Sequence, residues 1–159
     1  MGAISLPQMR ALHKYYGEIA VDHVDPHTAA WPAGSNTSFT NANAAIKHAR
    51  DMGYEVISIG QYYEIGVDKV APHIHQLVAD RPAFICYDMD FFDPALVPDL
   101  ATPTPGGAMP SEGIILMRRL KGLNIVGIDI NTTTPLHDPI GASANLAATL
   151  IAEAIGNFS

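Results

Sequence analysis

Residues 81–90, RPAFICYDMD, run apolar from Ala83 to Tyr87, then carry two carboxylates. A strand with no polar face has to be buried on both sides. Similar strand patterns appear at 18–25 (EIAVDHVD), 54–60 (YEVISIG) and 123–130 (LNIVGIDI). Helix patterns lie between them at 6–16, 40–52, 66–79 and 110–122, and a closing helix is expected at 142–155. Gly17 and Gly53 stand where helices should stop, and Pro110 stands where one should start. Strands alternating with helices predict an α/β chain: about four strands in a parallel sheet, with helices on both faces. The 159 residues fit a single domain spanning 1–159.

Composition narrows the function classes. Apolar residues make up 48% and charged residues 16%, which describes a chain that folds rather than a disordered one. No apolar run reaches the roughly 18 residues of a membrane span. The opening MGAISLPQMR has neither the basic segment nor the apolar stretch of a signal peptide, so cytoplasm is the expected location. Sixteen acids against nine bases give a net charge of −7, which disfavours a nucleic-acid partner. Cys86 is the only cysteine, which excludes an internal disulfide; its apolar strand suggests a buried small hydrophobe.

In open α/β sheets, ligands bind beyond the carboxyl ends of the strands. Chemistry is therefore expected at 22–39, 88–109 and 129–142. The first stretch begins DHVDPH, and strand alternation puts His23, Asp25 and His27 on one side if the chain stays extended. The second begins DMDFFDP. There Asp88 and Asp90 face one side by the same alternation, and a cation is the simplest way to hold both ionised. Asp93-Pro94 reads as a turn start. In the third, Asp129 is expected to bond loop backbone or to support a ligand. No Ser/His/Asp triad pattern and no phosphate loop is visible. His48, His73, His75, His137 and Trp31 all have ordinary structural explanations.

These pieces stand in a familiar order. DPHT at 25–28 resembles the D-A-H-x-D motif of the ureohydrolases (arginases and agmatinases). DMDFFDPALVPDLATPTPGG at 88–107 resembles their long D-x-D-x-x-D-P…T-P-x-x-G-G motif, and 111–131 looks like the helix and strand that follow it. The resemblance implies a three-layer αβα fold and a manganese cofactor of one or two ions. It also implies a small guanidino substrate hydrolysed to urea, and often a homo-oligomer. By matching positions it implies Asp25, His27, Asp88 and Asp90 as metal ligands, with Asp25 and Asp88 bridging.

The chain also departs from the pattern. Ala29 replaces the last Asp of D-x-H-x-D, and Thr132 aligns with the family's guanidinium-binding Glu. The family's upstream histidine motif would align just before Ile4, the S-H-G-T segment is shortened around GSNTSF (34–39), and the chain is about half the usual length. One metal site is therefore expected to be complete and the second incomplete. His23 is a candidate replacement ligand, though an inert pocket-wall residue is the simpler reading. The two functions in view are a manganese-dependent agmatinase-like hydrolase and a non-catalytic metal-binding scaffold.

Overall fold

The computed structural model describes residues 5–27, 42–98 and 100–158. Ala29, Trp31 and the GSNTSF segment lie outside them. In order, the elements are α1 (Ser5–Tyr16), β1 (Ala20–Val24), α2 (Ala42–Asp51), α3 (Ile59–Ile65), α4 (Val67–Val78), β2 (Ala83–Asp88), α5 (Pro110–Arg119), β3 (Ile125–Asn131) and α6 (Ala142–Phe158). Short 3-10 turns occupy Met89–Phe91 and Pro135–His137.

The described strands form one parallel sheet in the order β1-β2-β3. Central β2 is buried along its whole length, as its apolar run requires. Alternation divides its side chains between two layers. Ala83, Ile85 and Tyr87 enter a core shared with α4, α5 and α6 through Val70, Ile74, Leu116, Met117 and Leu150. Phe84, Cys86 and Asp88 face the other way, toward α1. There Leu12 packs against Gly127, and the Ser5 hydroxyl lies 3.5 Å from the Cys86 sulfur. Helices thus cover both faces, giving three layers.

One expected strand is absent. Residues 54–58 pair with no strand, and the chain turns helical at Ile59, so the described sheet has three strands rather than about four. The physical reason is a capping box. The Ser58 hydroxyl accepts from the Gln61 amide at 3.3 Å, while the Gln61 side chain accepts from the Ser58 amide at 2.9 Å. That reciprocal pair starts a helix where apolar content alone suggests a strand. Gly66, at φ +74°, then separates α3 from α4.

Two features lock the frame around the strand ends. Gly113 of α5 lies so close to β2 that an added Cβ would sit 2.6 Å from the Tyr87 hydroxyl and on the Phe92 ring. Asp138 is buried before α6, where its carboxylate accepts from the amides of Ala142 (2.8 Å), Ser143 (2.9 Å) and Ala144 (3.2 Å). It answers donors that the first helical turn cannot pair itself. Gly113→Ala is expected to cost about 1–3 kcal/mol through overpacking. Asp138→Ala is expected to cost about 1 kcal/mol through loss of the cap. Urea unfolding of each variant against the parent measures both.

Candidate functional site

β1 and β2 run parallel in register, with Val24 opposite Tyr87, so the next residues, Asp25 and Asp88, leave adjacent strand ends together. Both carboxylates are buried: the Asp25 side chain is 3% exposed and Asp88 2%. The charge of Asp25 acts on Asp88. Burial first, and then the Asp25 carboxylate, push the Asp88 carboxyl up to about 7; hydrogen bonds from Thr132 and the Asp90 amide offset only part of this. Two like charges have been brought together with little water between them.

Asp25 gathers both neighbouring histidines. The chain bends after β1 instead of staying extended. The His27 amide donates to Asp25 Oδ1 at 2.7 Å, and the His27 Nδ1 lies 3.1 Å from the same oxygen. His23 Nε2 lies 3.0 Å from Asp25 Oδ2. That contact is an ion pair when the imidazole is protonated. Burial alone would raise the Asp25 carboxyl, but His23 and His27 outweigh it and the net direction is down. For His23, burial would lower the imidazole, yet contacts with Asp25 and Cys86 raise it to about 9. The extended run expected through His27 does not form: His23 and Asp25 meet at the two-residue spacing of the strand, and His27 is brought to Asp25 by the bend.

Strand alternation fails for Asp90. β2 ends at Asp88, which caps the 3-10 turn by accepting the Asp90 amide at 2.8 Å. Asp90 is fully buried and accepts from the Thr102 amide at 3.1 Å and from the Thr102 hydroxyl. The long loop is folded to deliver this contact. Asp93 accepts the amides of Ala95 (2.9 Å) and Gly106 (2.7 Å), as an Asp starting a turn should, and Ala108 returns to pair with Phe91 and Asp93. Thr102 was not singled out from the sequence. Its signal was the TPTPGG stretch following the acids, which holds a hydroxyl at a fixed distance from them.

Of the two roles expected for Asp129, the bond to loop backbone is not made. It accepts the side-chain amide of Asn131 at 3.1 Å instead, and its Oδ2 is buried without a hydrogen-bond partner among the described residues. The reason is register. Asp129 pairs with Cys86 inside the sheet, two residues short of the strand end, where loop backbone is out of reach. Cys86 is buried as expected, beside Ser5, Asn131 and His23. His73 lies 3.6 Å from Glu55, and His75 is bonded to the Arg119 carbonyl at 2.8 Å, both away from the strand ends.

The donor set is carboxylate and imidazole oxygen and nitrogen, which suits a hard or borderline divalent cation. A cation would also remove the repulsion that raises Asp88. Among the described residues, no three His, Cys, Asp or Glu side chains converge on one point; each carboxylate is turned toward protein donors instead.

Between the ordinary carboxyl value of 3.8 and about 7, folded Asp88 keeps a proton that the unfolded chain has lost. Its contribution to stability therefore falls as pH rises through that window. Asp88→Asn cannot titrate there. Measured by thermal melts in chelator, its Tm relative to the parent should climb by roughly 10 °C from pH 4 to pH 8. A difference that stays constant with pH would show that Asp88 titrates normally.

Residues 34–156 match the Arginase family model. The agmatinase of Enterobacter sp. (strain 638) is 33% identical over 168 residues, covering 94% of this chain and 55% of the relative. The chain thus spans about half the length of the curated relatives it matches. Formimidoylglutamase from Bacillus subtilis superimposes with a TM-score of 0.89 at 21% identity, covering 98% of this chain and 58% of the other. Proclavaminate amidino hydrolase from Streptomyces clavuligerus gives 0.80 at 26% identity, covering 98% and 60%. The three-layer architecture and parallel sheet found here are the arginase-like fold, and this chain belongs to the arginase family.

Proposed function

We propose that the chain is a manganese-dependent hydrolase of linear C–N bonds in guanidino or amidino compounds, agmatinase-like and releasing urea. The observation that carries this reading is the buried, mutually repelling pair of Asp25 and Asp88 at adjacent strand ends, with His27 and Asp90 beside them. Relatives that share the surrounding sequence are agmatinases. In this reading Asp25, His27, Asp88 and Asp90 hold one or two Mn²⁺ ions.

When bound, divalent manganese supplies Lewis acidity, making water acidic enough to attack near neutral pH. The chain's own residues do the rest. Asp25 and Asp88 set the spacing of negative charge, because the strands that carry them are hydrogen-bonded together. The Thr102 amide and hydroxyl hold Asp90 in place. His23 keeps positive charge against Asp25 while its imidazole stays protonated. A small guanidino compound would enter from the side beyond the strand ends, where the loops after β2 and β3 meet.

Elemental analysis after loading with Mn²⁺ and dialysis, followed by a urea assay on agmatine and a panel of guanidino compounds, tests the reading. Bound manganese with urea release is expected. Bound manganese without urea from any compound would leave only a metal-binding scaffold, and no bound metal would overturn the ligand assignment as well. Asp88→Ala should lose most of the bound metal, on the order of a hundredfold in affinity, together with the manganese-induced rise in Tm.

A further inference from the structure

Thr132 follows β3 directly and adopts φ +66°, a left-handed conformation disfavoured for a β-branched side chain. Nothing about the turn itself requires a threonine there; glycine or asparagine would take that conformation more readily. What the conformation achieves is contact. The Thr132 hydroxyl has two acceptors within reach of its single proton, the Asn131 carbonyl at 2.6 Å and Asp88 Oδ1, the same oxygen that accepts the Asp90 amide at 2.8 Å; its contact with Asp88 is the one that reaches the site. The Thr132 carbonyl accepts the Ala101 amide at 3.2 Å, and Thr133 pairs antiparallel with Leu100. The loop after β3 is thereby tied to the loop after β2, one residue before Thr102, whose amide and hydroxyl bond Asp90. Two threonines on joined loops each hold one of two neighbouring carboxylates.

We infer that Thr132 is a positioning residue for the metal centre, kept in a strained backbone conformation so that its hydroxyl fixes the orientation of Asp88. The inference rests on the metal-binding reading above. Strain of this kind persists only where the surrounding structure enforces it, and here the tied loops do so. Fixing Oδ1 restricts rotation of the carboxylate. Partners of this type commonly tune metal affinity by about 10–100-fold.

Three variants of the full chain separate positioning from mere structural support, by Mn²⁺ titration with electron paramagnetic resonance and by thermal melts in chelator. Thr132→Ser keeps the hydroxyl and should bind Mn²⁺ within about threefold of the parent. Thr132→Val keeps the shape but loses the hydroxyl, and should bind about 10–100-fold more weakly. Thr132→Gly relieves the backbone, so its metal-free Tm should match or exceed the parent's while its Mn²⁺ affinity falls like that of Thr132→Val. A purely structural role would move stability and affinity together. Parent-like affinity in Thr132→Gly and Thr132→Val, or a Thr132→Ser variant as weak as Thr132→Val, would overturn the inference while leaving metal binding intact. Failure of the parent itself to bind Mn²⁺ would overturn the metal reading and this inference with it.

Discussion

Asp25 and Asp88 repel one another across the hydrogen-bonded ends of β1 and β2, and much of the neighbourhood can be understood as an answer to that repulsion. His23 sets positive charge against Asp25. The amides of His27 and Asp90, and the hydroxyl of Thr132, donate to the two carboxylates. Even so, Asp88 remains raised to about 7, because desolvation and the second carboxylate outweigh the donors it receives. Protein donors alone do not make the pair comfortable in its ionised form. A divalent cation would, because it attracts both carboxylates at once.

The rigidity needed to keep such groups together comes from the layer beneath. Tyr87, Phe91 and Phe92, which flank Asp88 and Asp90 in the chain, form a chain of ring contacts, with Tyr62 of α3 edge-on to Phe91 at 5.7 Å. Gly113 lets α5 press onto that cluster without a clash. Above it, Asp93 closes the long loop on itself so that Thr102 arrives over Asp90. Packing, loop closure and site geometry are therefore one problem. A shift of the aromatic layer would move the 3-10 turn that carries Asp90.

Much of this was legible in the chain. The apolar run of β2 announced a doubly covered strand, and the acids at its end marked the place to look. Five of the helices, though not α3, and three of the strands follow from hydrophobic period and from glycine and proline positions. Where the reading failed, a local rule was overruled by a neighbour. Residues 54–60 have strand-like composition, but the Ser58–Gln61 capping box starts a helix. Asp88 and Asp90 look like same-side strand residues, but the strand ends between them. Asp129 looks like a loop-facing acid, but register keeps it inside the sheet. Thr132 was visible only as a departure from a family pattern; its bond to Asp88 depends on two loops meeting, which spacing along the chain does not reveal.

By itself, the sequence picked out candidate side chains and set them at the strand ends, because residue type and hydrophobic period are local properties. The tertiary structure alone decided which of them meet. Parallel register set Asp25 against Asp88, a bend turned His27 onto the carboxylate that His23 already faces, and the joining of two loops gave each neighbouring acid a threonine. Electrostatic energy depends on separation and on exclusion of water, and both are fixed only once distant segments pack.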